Sequence, residues 1–265
     1  MEHGGNRNFA MNIERKTDTA GLFEEEIVIA RPGGSLPIFV VRPDDNKSHS
    51  GLILIHEIFG VNEHIKDVAR RFAREGYVVY APDLFAYANN LPSERNDIAA
   101  MRDVWAGIAD EQLIGDLQAV LSSMRKSKSI ERHAIGALGF CMGGAIAYLF
   151  ACRTPLLSWV VDFYGRIYYQ DITEFKPRHP ISFTGGLHCP FLGLYAGVDD
   201  LILEEQIKHL QKKLVDLGKK YQIKVYPGAK HAFFNDQREF YHHEAAHDAW
   251  QLTLAFMNAH SQIKS

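Results

Sequence analysis

The six residues Gly139–Gly144, "GFCMGG", decide the fold of this chain. They follow the apolar run "HAIGAL" and precede "AIAYLFACR", which has the composition of a buried helix. The spacing Gly-x-Cys-x-Gly fits a nucleophile elbow, a tight strand-to-helix turn that exposes its central side chain while the flanking glycines avoid clashes. Cys141 is then a candidate thiol nucleophile. The alternative is a small buried side chain beside a glycine-rich turn.

Size and composition limit the classes of protein to consider. The chain has 265 residues, 46% of them hydrophobic, and its 32 acidic and 29 basic residues give a formal net charge of -3. No basic excess points to nucleic acid or to an anionic membrane. The three cysteines are widely spaced, which favours a reducing compartment. Because no stretch approaches a signal peptide or the about 18 apolar residues of a membrane span, we expect a cytoplasmic protein.

The alternation of short apolar runs with longer helical patterns predicts an α/β fold. Such a pattern indicates one domain with a mostly parallel sheet and helices on both faces. We place this domain at residues 21–265 and expect residues 1–20 to be loosely ordered. A hairpin around residues 31–34 leads the sheet, one long helical region covers residues 96–126, and a last helix runs from about residue 241 to 259.

Polar residues stand where four predicted strands end. The strands end at His56-Glu57, at Cys141, at Asp199-Asp200 and at His231. Open α/β sheets bind ligands beyond the carboxyl ends of their strands, so these side chains should lie together. Nucleophile, then acid, then histidine is also the α/β-hydrolase order along the chain. This agreement favours the elbow over the structural alternative.

With these motifs the sequence resembles the dienelactone hydrolase family over most of its length. The family is a single α/β-hydrolase domain that cleaves enol-lactones or other esters with a Cys-His-Asp triad. The resemblance therefore implies a small-molecule ester or lactone as partner, and neither a metal nor an organic cofactor. It rests on four segments: "HEIFGVN" (56–62), "GFCMGG" (139–144), "GVDDLI" (197–202) and "YPGAKHAF" (226–233).

The resemblance implies roles for individual residues. Cys141 would be the nucleophile and His231 the base that later protonates the leaving group. Asp199 best matches the position of the triad acid, and Asp200 is the second choice. Glu57 matches an additional glutamate that holds and helps to deprotonate the cysteine. On physical grounds a glutamate there is ambiguous, because as a base it could take the thiol proton and as an anion it would disfavour the thiolate.

Further residues are candidates for the oxyanion hole and the substrate pocket. The hole should consist of the backbone N–H groups of Met142 and Ile58. Tyr164 matches a family tyrosine near the substrate, and Arg166 follows it closely. Trp105 is a candidate pocket-wall aromatic, with core packing as its alternative.

One departure from the family concerns the charge of the substrate. Type members bind an anionic lactone through two arginines, and one of these falls at Asn235 here. The other falls near Ile98, one helical turn before Arg102. Asn235 remains a candidate for substrate contact, and Arg166 is a candidate replacement cation. We expect neutral esters to be cleaved at least as well as carboxylated ones, because one charge-assisted contact is missing.

A zinc-protease motif competes with the triad. Residues 243–247, "HEAAH", match His-Glu-x-x-His, but no third ligand follows at the required spacing. We interpret this segment as the polar flank of the last helix and predict no metal site.

The sequence therefore predicts a cysteine-dependent hydrolase of a small ester or lactone that acts through an acyl-cysteine. Two alternatives stay open at this point. One is a carboxylesterase with a broad acyl range. The other is a binding or redox-sensing protein that keeps the fold without turnover. Oligomeric state and the natural substrate are not encoded in any pattern that we recognise.

Overall fold

The computed structural model describes residues 19–31 and 34–261, and within them the chain forms one eight-stranded sheet. The expectation for residues 1–20 therefore lies, apart from its last two residues, outside the described part of the chain. The strand order across the sheet is β1-β2-β4-β3-β5-β6-β7-β8. The strands are β1 (Leu22–Arg31), β2 (Gly34–Pro43), β3 (His49–Ile55), β4 (Tyr77–Pro82), β5 (Ile130–Phe140), β6 (Val160–Phe163), β7 (Phe191–Val198) and β8 (Tyr221–Lys230).

The strand directions confirm the predicted mostly parallel sheet. β1 and β2 form the leading antiparallel hairpin, and β2 is antiparallel to β4. From β4 through β3, β5, β6 and β7 to β8, every neighbouring pair is parallel. Since the carboxyl ends of parallel strands meet at one edge of a sheet, the polar residues that follow β3, β5, β7 and β8 share that edge.

Six α-helices connect and cover the strands within the described residues. They are α1 (Glu63–Arg74), α2 (Ile98–Ala106), α3 (Asp110–Met124), α4 (Met142–Ala151), α5 (Glu204–Asp216) and α6 (His243–His260). The prediction of one long helical region over residues 96–126 is wrong, because α2 and α3 are separate helices. The chain leaves α2 at Gly107 and is extended at Ala109 (ψ 141°), so that α3 begins anew at Asp110.

The core lies on both faces of the sheet. Residues Leu52–Ile55 of β3 are fully buried, and β4 is buried along its whole length, as expected for central strands covered on both faces. On one face, the ring of Phe72 in α1 packs against that of Trp250 in α6, with ring centroids 4.6 Å apart and the planes tilted by 41°. All ten residues of α4 are buried, so the helix that follows the elbow is held rigidly. None of the helices in the described ranges combines the length and apolar character of a membrane span.

Candidate active site

The elbow between β5 and α4 has a strained backbone at its central residue. Cys141 has φ 55° and ψ -119°, in the left-handed half of the conformational map that residues with a Cβ rarely adopt. A Cβ on Gly139 would lie 2.0 Å from the carbonyl oxygen of Gly143, and one on Gly143 would lie 2.4 Å from that of Ile55. Both glycines are therefore required for the close approach. The Cys141 N–H donates to the carbonyl of Phe163 at 2.9 Å, which ties the elbow to β6.

His231 lies between Cys141 and Asp199. Its Nε2 is 3.1 Å from Cys141 Sγ, and its Nδ1 is 2.9 Å from Asp199 Oδ2. The Asp199 carboxylate is 1% exposed and also accepts from the N–H of Leu201 at 2.8 Å. Burial lowers the pKa of His231, but the negative charge of Cys141 and the hydrogen bond to Asp199 outweigh it and raise that pKa to about 10. The imidazolium is thus stabilised once the thiol proton has passed to His231 and Cys141 carries a negative charge, with Asp199 on its other side.

The two neighbouring aspartates have different surroundings. Asp199 turns toward His231 and is enclosed, whereas Asp200 is exposed and lines the open cleft. The contact to the histidine therefore belongs to Asp199, the residue that the family pattern favours. Nothing in the sequence separates the two aspartates by chemistry alone, since they are adjacent and identical.

Glu57 is buried, and its carboxylate accepts hydrogen bonds from neutral donors. Its Oε2 accepts a 2.7 Å hydrogen bond from Asn235 Nδ2, and its Oε1 accepts a longer one, 3.5 Å, from the Tyr164 hydroxyl. Glu57 and Asn235 are 3% and 2% exposed, so this contact is shielded from water. Asn235 is thus engaged with a glutamate of the site, a contact across 178 positions of sequence that spacing alone could not reveal.

His56 fixes the loop that carries Glu57. Its Nε2 accepts from the N–H of Leu84 at 3.1 Å, so its Nδ1 carries the proton and donates to the carbonyl of Glu57 at 2.6 Å. Burial lowers the pKa of His56, which agrees with a neutral ring. The following N–H, that of Ile58, and that of Met142 at the start of α4 have no acceptor among the described residues. Both are therefore free to donate to a ligand.

Tyr164 contacts both His231 and Glu57. It is fully buried with φ 44°, and its ring centroid lies 5.2 Å from that of His231. Burial and the charge of Glu57 raise its pKa well above its ordinary value. Its hydroxyl therefore stays protonated and can donate.

This arrangement of cysteine, histidine and aspartate at strand ends agrees with a comparison with known families. A sequence profile described as "Dienelactone hydrolase family" matches residues 36–261. The chain belongs to the dienelactone hydrolase family. Membership of this family accounts for both its sequence motifs and its fold.

Individual dienelactone hydrolase relatives support the assignment. The chain is 34% identical over 235 residues to a protein of Methylorubrum extorquens that is provisionally named carboxymethylenebutenolidase, covering 89% of this chain and 80% of that one. It is 36% identical over 231 residues to a protein of Salmonella typhi with the same provisional name, covering 85% and 83%. A crystal structure assigned provisionally as a dienelactone hydrolase from Klebsiella pneumoniae is 33% identical, covers 89% of this chain and 98% of that chain, and superposes with a TM-score of 0.83. The protein is therefore a hydrolase that acts on ester or lactone bonds.

In this chain a cleft of about 540 Å³ opens above Cys141. Its lining includes Cys141, His231, Glu57 and Ile58 together with three cations, Arg102, Lys230 and Arg238. Three exposed apolar side chains, Ile98, Val198 and Phe240, form part of its wall. A larger cavity of about 610 Å³, beside Tyr87 and Gln112, contains none of the predicted site residues.

The four residues proposed for substrate contact are not in the lining of this cleft. Tyr164 and Asn235 are buried behind it, next to Glu57. The Lys176 ammonium lies 3.5 Å from the ring centroid of Trp105, and Arg166 is partly buried. Arg102 is one of the three cations that line the cleft, and in the sequence it stands one helical turn beyond the position expected for a substrate-binding arginine. A helix face that points into a cleft cannot be deduced from spacing alone.

The zinc-protease-like segment lies on α6. The rings of His243 and His247 are stacked, 6.5 Å apart. Within residues 19–31 and 34–261, no group of three or more metal-ligating side chains is placed to hold an ion. The pair therefore has no third partner there.

Proposed function

We propose that this family member is a cysteine-dependent hydrolase that cleaves a small ester or lactone through an acyl-cysteine intermediate. The observation that supports this most is His231, which reaches Cys141 Sγ with one ring nitrogen and Asp199 with the other. A base that contacts the nucleophile, and is itself oriented by a carboxylate, is the arrangement required for nucleophilic catalysis.

The first half-reaction transfers the acyl group to sulfur. Cys141 Sγ attacks the carbonyl carbon while His231 takes the thiol proton. The carbonyl oxygen becomes an oxyanion that accepts hydrogen bonds from the N–H groups of Met142 and Ile58. When the intermediate collapses, the bond from carbon to the alcohol oxygen breaks and His231 protonates that oxygen. In a lactone this alcohol stays attached to the acyl group.

The second half-reaction regenerates the thiol. His231 removes a proton from a water molecule, and the hydroxide formed attacks the thioester carbon. The carbon–sulfur bond then breaks, and Cys141 recovers a proton from His231. Asp199 keeps the imidazole in the tautomer that both steps need and stabilises its charged form.

Glu57 has a role at the start of the cycle in this proposal. In the absence of substrate, the hydrogen bonds from Asn235 and Tyr164 hold its carboxylate in place. An anion brought close to the thiol would disfavour the thiolate but could act as a base for its proton. We infer that substrate binding loosens the Asn235 contact and lets Glu57 assist deprotonation of Cys141.

The test of this function is loss of activity in a single cysteine variant. Cys141→Ala should abolish cleavage of aryl esters and lactones, and a chelator should leave the wild-type rate unchanged. Cys189→Ala is the matched control, because Cys189 is a buried free cysteine outside the cleft. Substantial turnover by Cys141→Ala, or inactivation by the chelator, would rule the proposal out. A panel of esters and lactones would separate a selective lactonase from a broad carboxylesterase.

A further inference from the structure

Asp162 is a buried carboxyl group that the mechanism above does not use. It is the third residue of β6 and is fully buried. Its Oδ1 accepts from the N–H of Gly165 at 2.6 Å, and its Oδ2 accepts from the hydroxyl of Tyr195 at 2.9 Å. Both donors are neutral, and no cation of the described residues forms an ion pair with it. Burying a carboxyl group without a cation is costly, and the contacts of Asp162 indicate what it holds in place.

The hydrogen bond to Gly165 closes a turn around Tyr164. Tyr164 has φ 44°, a left-handed conformation that costs energy in a residue with a Cβ. One side of the turn is fixed by the N–H of Tyr164, which donates to the carbonyl of Leu194 on β7 at 2.8 Å. The other side is fixed by the Asp162 carboxyl through Gly165. Without that second attachment, the turn could relax to an unstrained conformation.

The conformation of Tyr164 matters because its side chain touches two groups of the site. The ring packs edge-on against His231, with centroids 5.2 Å apart, and the hydroxyl points to Glu57 at 3.5 Å. The side chain is fully buried, so its direction follows from the backbone turn that carries it. A change in this turn would therefore shift the surroundings of both groups.

The same carboxyl group lies against the first turn of α4. A Cβ on Gly144 would stand 2.1 Å from Asp162 Oδ1, and a Cβ on Gly165 would stand 2.2 Å from the same atom. Asp162 thus fills the space beneath the elbow, and both glycines leave room for it. This packing restricts the carboxyl group to the position that reaches the Gly165 N–H.

We propose that Asp162 is a positioning residue of this active site, which through Gly165 holds Tyr164 in the conformation that packs its ring on His231 and aims its hydroxyl at Glu57. This inference rests on the proposed function, because it is that function which gives His231 and Glu57 their roles.

The acceptor oxygen, and not the charge, carries this role. Burial raises the pKa of Asp162 to about 7, although the bonds from Tyr195 and Gly165 act in the opposite direction. The titratable groups that face it are Tyr195 on β7, Tyr148 on α4 and His231 after β8. Either protonation state leaves an oxygen for the Gly165 N–H, and so would an asparagine carboxamide.

A double-mutant cycle between Asp162 and Tyr164 tests the proposal. Asp162→Ala should lower kcat by about 10- to 100-fold, as misplacement of a reacting group does, with KM within about threefold because Asp162 is outside the cleft. Asp162→Asn should retain at least about a third of the wild-type kcat, since it keeps the acceptor. In a Tyr164→Ala background, Asp162→Ala should cause no further loss of kcat, because the residue through which it acts is gone.

Controls separate this effect from a loss of folding. Every variant is assayed well below its own melting temperature. If Asp162→Ala does not fold, Asp162→Val takes its place in the same kinetic assays. Asp116→Ala is the matched control, because Asp116 is also a buried carboxyl group that accepts from a tyrosine hydroxyl, that of Tyr87. It should lower the melting temperature and leave kcat unchanged.

Two results would overturn the inference. One is a multiplicative loss of kcat in the Asp162→Ala/Tyr164→Ala double variant. The other is an Asp162→Asn variant as slow as Asp162→Ala. The test of Cys141 is separate, so the nucleophile can stand while this positioning role fails.

Discussion

Asp199 and Asp162 are two buried aspartates on neighbouring strands that have different partners. Asp199 follows β7 and contacts His231, a group that can carry positive charge, at 2.9 Å. Asp162 lies near the end of β6 and contacts the hydroxyl of Tyr195 and a backbone N–H, which cannot. The same side chain at similar depth thus contacts a titratable ring in one place and the N–H of a backbone turn in the other. The partner, more than burial, determines what a buried carboxylate does.

The largest expected effect comes from removing the charge of Asp199. Asp199→Asn should lower kcat on the order of 10³- to 10⁴-fold, because the imidazole loses both its tautomer and its counter-charge. The measurement is steady-state hydrolysis of an aryl ester. Asp200→Asn is the control, since Asp200 is exposed and should stay within about threefold of wild type. The opposite ranking would transfer the role of triad acid to Asp200.

The loss in Asp162→Ala should be smaller than that in Asp199→Asn, because a positioning group acts only through its neighbours. A charge-neutralising change separates the two residues most clearly. Asp162→Asn should be tolerated and Asp199→Asn should not, although both replace a carboxylate by a carboxamide. Equal kcat values for these two variants would remove the distinction drawn between the two sites.

The smallest expected effect is on the free energy of unfolding and concerns the hydrogen bond from Tyr195 to Asp162. Tyr195→Phe removes one hydrogen bond to a carboxyl group whose pKa is about 7. Below that pKa the lost bond is between neutral groups and costs about 0.5–1.5 kcal/mol, whereas above it the acceptor is charged and the cost is about 1.5–3 kcal/mol. Urea unfolding should therefore show a larger destabilisation at pH 9 than at pH 5.5.

The direction of this pH dependence follows from the linkage between proton binding and folding. Because the folded pKa of Asp162 is raised above the ordinary value of 3.8, its contribution to stability is complete below that value and is lost as the pH rises through about 7. Removal of the Tyr195 hydroxyl raises that pKa further and so deepens the loss above pH 7. A destabilisation that is equal at both pH values would show that Asp162 does not ionise in this range.

Much of the fold and of the site could be predicted because it depends on local pattern. The alternation of apolar runs and helical segments specifies the sheet, and parallel strands gather their ends at one edge. Cys141, Asp199 and His231 each follow such a run, so their proximity could be expected without coordinates. The glycines of the elbow indicate its tight turn in the same way, because glycine is required where backbone segments approach each other so closely.

The parts that could not be predicted depend on contacts between distant segments. The Asn235–Glu57 hydrogen bond and the Asp162 carboxyl group have no signature in spacing, and Asp162 sits within an otherwise apolar strand. The break between α2 and α3 could not be predicted, because a single Gly107 in a helical pattern does not by itself indicate the end of a helix. Arg102 lines the cleft only because of the way α2 lies against it.

The assignment of Cys141 as the residue that carries the acyl group is tested by mass spectrometry of the trapped enzyme. The protein is mixed with an activated aryl ester, quenched in acid within the first turnovers, and analysed intact and after proteolysis. We expect a mass increase equal to one acyl group, located on the peptide that contains Cys141, released by hydroxylamine and absent in Cys141→Ala. An acyl group on any other residue, or rapid turnover with no adduct in Cys141→Ala, would contradict it.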